Sequence, residues 1–498
     1  MTQTEREAFL AKREAENSKP FALFALFLSL SFFAAVPVAL AYTGEYTNFW
    51  DNFIRILTSP SKLVTDYFNL GCLASTFFNA GLCGLACNLI ILVSKTKANS
   101  TTFAAYILVI AHCFYGLNIL NMWPPFIGVL IYCFITKHPV RKNLHVTMFS
   151  TALAPFISDL LFRYTIGQFH LGKIEMSVPG VILAIVFGTA AGFVVPSLLP
   201  GTSAMHRGYN MYKAGLAIGI FGIFLHALLY RTLGYNSPDV VVRENPVYES
   251  FGNSYLLFMD IFFLALFSIS ILLGFFMNGR NFHDYHHLIQ CSGYGLDFAD
   301  KFGLPVCFIN FGIYGLSILA YLNIIFLVPE LLQMIFPNIV LPATAGFTGP
   351  TVGVTFAALT FSADGQHPRN VAPIVLGYVL LFVFVCCITA LTGNNLPWML
   401  STQGYINGLA FATGLCPFAG KYGFKIGVLA GFMSAIICTS SASMHGGFVL
   451  YNGGFNAGLT ALVLLPILDF YGVQPKYPDD TEEVMPLRRF GRRKKENT

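Results

Sequence analysis

The stretch Asp66-Tyr67-Phe68-Asn69-Leu70-Gly71-Cys72-Leu73-Ala74-Ser75-Thr76-Phe77-Phe78-Asn79-Ala80-Gly81-Leu82-Cys83-Gly84-Leu85 returns, without a gap, in residues 297–316. There it runs from Asp297-Phe298 to Asn310-Phe311-Gly312-Ile313-Tyr314-Gly315-Leu316. A second block is also doubled. Met205-His206-Arg207-Gly208-Tyr209, Tyr212 and Gly215-Leu216 come back as Met444-His445-Gly446-Gly447-Phe448, Tyr451 and Gly454-Phe455. Upstream of each lies a run of small residues, Gly188 with Ala191-Gly192-Phe193 and Gly427 with Ala430-Gly431-Phe432. The chain is therefore read as an internal duplication, the architecture in which membrane transporters build a site between their halves.

Composition sets the solvent. The 498 residues are 55% hydrophobic and only 11% charged, whereas a soluble globule carries about 25% charged residues. This predicts an all-α, multi-pass membrane protein. The net charge of +5 comes from loops and from the tail Arg488-Arg489-Phe490-Gly491-Arg492-Arg493-Lys494-Lys495, a pattern of membrane topology that excludes nucleic acid as a partner. Eleven cysteines lie mostly in apolar runs, with no CxxC pair and no Cys/His set at metal spacing, so no metal and no cofactor is expected. P-loop, GxSxG, HExxH and paired-carboxylate signatures are absent, and no catalytic residue or enzyme activity is expected.

A spanning helix needs about 20 apolar residues. On that ruler residues 1–20 form a cytoplasmic leader and 21–43 a first transmembrane helix, followed by repeat 1 (61–235), a linking helix (252–280), repeat 2 (290–472) and a basic cytoplasmic tail (473–498). Repeat 1 divides near 70–94, 101–117, 122–136, 146–163, 178–199 and 208–231. Repeat 2 divides near 303–326, 330–346, 350–363, 371–392, 425–441 and 448–470. With the two unrepeated helices this makes about 14 membrane segments. Residues 393–424 read as a long, unrepeated loop.

Lys95, Lys97, Lys137, Arg141, Lys142 and Arg207 fall on one side if each segment crosses, and that side is assigned to the cytoplasm of an inner-membrane protein with both termini inside. In the second copy Lys137-His138-Pro139-Val140-Arg141-Lys142-Asn143 is matched to Gln366-His367-Pro368-Arg369-Asn370 and Arg207 to Gly446, so the basic charge is stripped. Such loss predicts two repeats of inverted topology, about six segments each.

The third segment of each repeat is short and follows helix-breaking sequence, ending at Trp123-Pro124-Pro125 in one and Thr348-Gly349-Pro350 in the other. Each pair of second and third segments reads as a re-entrant or broken-helix hairpin. Such breaks are tolerated in a membrane only where protein or water satisfies the backbone, and paired breaks point to a transport site. The substrate-binding candidates are the amides Asn79, Asn310 and Asn121, the backbone at Pro125 and Pro350, and the histidines His206 and His445. Helix bridging by the amides and helix capping by the histidines are the alternatives. No acidic residue falls near a midplane on this segmentation, which predicts a neutral polar solute or an anion as cargo and leaves coupling to a cation held by backbone carbonyls open.

The doubled Asn-x-Gly-Leu and His-Pro-x-x-Asn blocks resemble an uncharacterised family of duplicated bacterial membrane proteins, over most of residues 61–472. His206-Arg207-Gly208-Tyr209-Asn210 with Gly215-Leu216 is also similar to the His-Gly-Tyr-Asn stretch of the bacterial urea transporters, although His445-Gly446-Gly447-Phe448-Val449 lacks the Asn. That second resemblance implies passive passage of a small polar solute. The expected function is a transporter or facilitative channel with its site between the repeats; the alternatives are an ion channel lined by carbonyls of the broken helices and a membrane scaffold or partner subunit. The expected partners are that solute and the lipid bilayer, with homo-oligomerisation left open.

Overall fold

The computed structural model describes residues 3–241, 253–337 and 339–477, so the basic tail Arg488–Lys495 lies outside the described residues. Helix α1 (Gln3–Thr43) carries the leader and the first transmembrane segment as one unbroken helix. Its polar end is docked: Asn17 Nδ2 donates to Ala299 O at 3.0 Å and Asn17 Oδ1 accepts Leu304 N at 2.9 Å. Its apolar end is held by aromatic packing, with Phe24 stacked on Phe308 at 4.1 Å between ring centres. Helix α2 (Phe49–Thr58) buries Phe49, Phe53, Ile56 and Leu57, while Asp51 lies on its exposed side. That spacing marks an amphipathic helix on the body of the protein.

The first copy consists of α3 (Leu73–Val93), α4 (Ser100–His112), α5 (Pro124–Thr136), α6 (Val140–Ser150), α7 (Ala154–Arg163), α8 (Val178–Met205) and α9 (Lys213–His226). A short antiparallel ribbon, β1 (Gln168–Leu171) with β2 (Ile174–Ser177), links α7 to α8. Helix α10 (Asn253–Met277) separates the copies. The second copy consists of α11 (Leu304–Ile335), α12 (Gly349–Ala358), α13 (Pro368–Thr392), α14 (Gln403–Ala412), α15 (Cys416–Tyr422), α16 (Phe424–Ile437) and α17 (Asn452–Phe470). Among the described residues nine helical spans are long and apolar enough to cross a membrane, and α4, α5 and α16 are shorter apolar helices. The chain is an all-α, multi-pass membrane protein.

Three expectations change. Residues 330–346 are not a separate segment, because α11 continues to Ile335 and residues 336–348 are irregular; the segment equivalent to α4 is α12. The supposed loop 393–424 contains α14 and α15, which match α6 and α7 through Thr151-Ala152-Leu153-Ala154-Pro155-Phe156 and Thr413-Gly414-Leu415-Cys416-Pro417-Phe418, each a 3-10 turn running into a Pro-started helix. The turn after α4 matches the turn after α12 as Asn118-x-x-Asn121-x-x-Pro124 to His367-x-x-Asn370-x-x-Pro373. Pro125 is thus the counterpart of Ile374, not of Pro350, and Lys137–Asn143 is not the counterpart of Gln366–Asn370. His138 is exposed after α5, whereas His367 is buried and caps α13.

This register is fixed by packing. A Cβ at Gly192 would lie 2.0 Å from Pro125 O and one at Gly431 2.1 Å from Ile374 O. Only glycine lets α5 approach α8, or α13 approach α16, this closely, as small residues do in membrane helix pairs.

Candidate functional site

Asn79 points from α3 into the turn after α4, where its Nδ2 donates to Cys113 O at 3.0 Å and Leu117 O at 2.9 Å and its Oδ1 accepts Ile119 N at 3.3 Å. Asn310 donates likewise in the second copy, to Ser362 O at 2.8 Å and Gln366 O at 2.7 Å, while its Oδ1 has no partner among the described residues. Asn121 closes the first turn from within, giving Nδ2 to Gly116 O at 2.9 Å and Ser158 Oγ at 2.8 Å and accepting Asn118 N at 2.9 Å. Its true counterpart, missed in the sequence, is Asn370, which donates to Gly365 O at 2.8 Å and accepts His367 N at 3.1 Å. A helix that stops inside the protein leaves carbonyls without partners, and these amides supply them. Both donor hydrogens of Asn79, Asn310 and Asn121 are engaged, so these residues hold the turns.

The other candidates are scattered. Pro125 is buried against α8. Pro350 sits in the first turn of α12, whose N–H groups are already met: Gly349 N by Asp66 Oδ1 at 2.9 Å and Thr351 N by Thr348 Oγ1 at 3.1 Å. His206 is fully buried, with neither ring nitrogen hydrogen-bonded among the described residues. His445, also buried, places Nε2 2.9 Å from Asn452 Oδ1.

The two copies interlock through matching contacts. Asp66, just before α3, accepts from Gly349 at the start of α12, while Asp297, just before α11, accepts from Ser100 Oγ at the start of α4. Leu450 N donates to Ala152 O at 2.9 Å, and Met211 N to Gly414 O at 3.0 Å. Phe448 stacks on Phe156 at 4.7 Å, and Tyr209 packs on Phe418 at 4.8 Å. Equivalent residues also meet each other: the rings of Tyr212 and Tyr451 are 5.5 Å apart, and a Cβ on Gly215 would lie 2.4 Å from the carbonyl carbon of Gly454. A residue can touch its own counterpart only close to a local two-fold axis.

Burial raises the Asp66 carboxyl to about 6, opposed by backbone N–H donors from Gly349, Phe68 and Asn69. Asp297 is driven well above the usual carboxylate range, first by burial and then by the neighbouring charges of Asp364 and Asp300. Asp364, a carboxylate not weighed in the sequence, lies in the turn after α12. Because Asp66 also accepts Phe68 N at 2.9 Å, Asp66→Ala removes a double cap and should cost about 1–2 kcal/mol. Asp66→Asn, which keeps an acceptor oxygen, should cost markedly less, and thermal unfolding of the two variants beside the parent protein measures the difference.

Next to the axis lies a cavity of about 150 Å³. Leu63, Val64 and Tyr115 of the first copy line it together with Asn407, Phe411, Cys438, Leu450 and Asn452 of the second. Phe411 separates it from the axis, its ring 5.2 Å from Tyr212 and 5.8 Å from Tyr451. Beyond, Tyr212 meets Phe361 at 4.7 Å, and Tyr451 meets His112 at 6.1 Å and Phe149 at 6.4 Å. Tyr115, Asn407 and Asn452 were not among the sequence candidates, and of those only His445 reaches this cavity, through Asn452.

The doubling of elements and contacts agrees with comparison against protein families. A family of proteins of unknown function, DUF1576, matches residues 45–231 and 322–470. The chain belongs to this family. The two matched stretches fall one in each copy, from α2 to α9 and from the later part of α11 to α17, so the uncharacterised family expected from the Asn-x-Gly-Leu blocks is the one found. Comparison with the curated proteins and with the solved structures finds no match.

Proposed function

We propose that this DUF1576 protein carries a small polar solute across the membrane along a path between two copies of six segments each, inserted in opposite directions. The observation that carries this reading is the cavity at the boundary of the copies, blocked inward by Phe411 and the Tyr212–Tyr451 pair. Pathways between duplicated halves, with interrupted helices around them, are the rule among transporters of this construction.

Opposite insertion is supported by the capping aspartates. Helix α4 runs back along α3, since Gly84 faces Ile110 while Asn79 reaches Cys113, so Ser100 lies level with the end of α3. Asp297, at the beginning of α11, meets Ser100; the end of α3 and the beginning of α11 thus share a side. Asp66, at the beginning of α3, meets Gly349 beyond the end of α11. In this reading Lys95, Lys97, Lys137, Arg141, Lys142 and Arg207 share the cytoplasmic side, and the cavity opens to the opposite side.

The ion-channel alternative needs free carbonyls at the breaks, and those of Cys113, Leu117, Ser362 and Gln366 are engaged by Asn79 and Asn310. Purified protein in proteoliposomes, offered a panel of small radiolabelled polar solutes, should give saturable uptake of at least one above protein-free vesicles. Uptake indistinguishable from empty vesicles across the panel would refute transport and leave the scaffold reading.

A further inference from the structure

The polar groups around the cavity are oriented alike. Asn452 Oδ1 is held by Ser441 Oγ at 3.1 Å and His445 Nε2 at 2.9 Å, while its Nδ2 makes no hydrogen bond among the described residues. Asn407 Oδ1 accepts Gln403 Nε2 at 2.8 Å, and its Nδ2 is likewise unengaged. The Gln403 orientation is fixed by Thr348 Oγ1, which donates to Gln403 Oε1 at 2.6 Å. Tyr115 is 2% exposed, lines the cavity, and has a hydroxyl without a partner among the described residues. A buried hydroxyl with no partner carries a desolvation penalty that a ligand would relieve. The residues lining the cavity thus include two amides with unengaged N–H₂ groups and a tyrosine with an unengaged O–H, and no carboxylate among the described residues.

The backbone adds the same sign. Asn452 is the first residue of α17 and Gly404, which also lines the cavity, is the second of α14, so two helices of 19 and 10 residues begin at this cavity. Helix N-termini favour negative charge. At the counterpart positions in the other copy, Asn452 is replaced by Lys213, Asn407 by His145 and Tyr115 by Asp364. The neutral, donor-rich lining is therefore a property of this cavity and not of the duplication.

From three lining residues with unengaged donors and the two helix starts, we propose that the cavity is a binding site for a small monovalent oxyanion of carboxylate or nitrate size, held by Tyr115, Asn407 and Asn452. This rests on the transport reading only for its purpose, since binding is measured without flux. A volume of about 150 Å³ admits an anion of a few heavy atoms, and donors without a fixed cation leave it free to depart.

The test is calorimetric titration of the full chain in nanodiscs with formate, acetate and nitrate, against formamide, acetamide and urea at constant ionic strength. At least one anion should bind saturably and its neutral counterpart at least tenfold more weakly. Tyr115→Phe removes a hydroxyl that bonds to nothing among the described residues, so it should leave thermal unfolding unchanged or raised and still weaken the anion about tenfold. Asn452→Asp should abolish anion binding, while Asn452→Gln should retain part of it. Equal binding of anions and neutral counterparts, or unaltered anion affinity in a folded Tyr115→Phe protein, would overturn the proposal. Absence of anion binding in a protein that passes a neutral solute in proteoliposomes would also overturn it, with the transport reading intact. Anion binding in a protein that passes nothing would uphold the site and remove transport alone.

Discussion

Asn79→Ala and Asn310→Ala should each lower stability by about 2–4 kcal/mol, because each removes two donated hydrogen bonds and leaves two buried carbonyls without donors. The donated bonds are the same in the two copies, Asn79 giving to Cys113 O and Leu117 O and Asn310 to Ser362 O and Gln366 O at 2.7–3.0 Å, while Asn79 alone also accepts Ile119 N, so its loss should be the larger of the two. Asn88→Ala is the control. Its Nδ2 makes a single long bond of 3.4 Å to Ala22 O, and its loss should be below about 1 kcal/mol. Denaturant titration in mixed micelles reads all three; a folded, fully stable Asn79→Ala protein would mean that the turn after α4 does not depend on this amide.

A larger loss is expected where helices touch. Gly192→Leu and Gly431→Leu would each drive a side chain into a backbone carbonyl, of Pro125 and Ile374 respectively. Neither neighbour is a flexible side-chain end that can swing aside, so α5 must part from α8, or α13 from α16. Overpacking usually costs about 1–3 kcal/mol, and here the loss of the whole helix contact adds to it. Both variants should fail to give monodisperse protein, whereas Gly201→Leu, whose Cβ would meet nothing within 4 Å, should purify normally. Size-exclusion profiles after matched expression decide it, and a monodisperse Gly431→Leu protein would contradict the close approach.

The duplicated frame was legible because its strongest signals are contacts between the copies or within the turns. Asn79 and Asn310 repeat because each secures an interrupted helix; Tyr212 with Tyr451 and Gly215 with Gly454 repeat because each meets its own counterpart near the axis. The middle of each copy was misaligned for a physical reason. Helix α11 runs 32 residues where α3 runs 21, and an irregular stretch follows it, so the spacing between matched residues changes along the chain. Matching His138-Pro139 to His367-Pro368 followed residue identity into an exposed turn on one side and a buried cap on the other. The spacings Asn118-x-x-Asn121-x-x-Pro124 and Thr151-x-Leu153-x-Pro155-Phe156 were available as better guides, since they carry capping and helix-start chemistry. The cavity itself left no such pattern. Tyr115, Asn407 and Asn452 come from separate elements, and the counterpart position of each holds a different residue, so only folding brings them together.

Opposite insertion of the two copies is the claim on which the pathway rests, and sided labelling tests it most directly. Single cysteines at the exposed positions Lys97, Lys137, Pro337 and Gly393, in a chain whose own cysteines are replaced, would be treated with a membrane-impermeant thiol reagent in intact cells and in inverted vesicles. Lys97 and Lys137, at the ends of α3 and α5, should react only from the cytoplasmic side, and Pro337 and Gly393, at the ends of α11 and α13, only from the opposite side. Reaction of all four from one side would contradict the account.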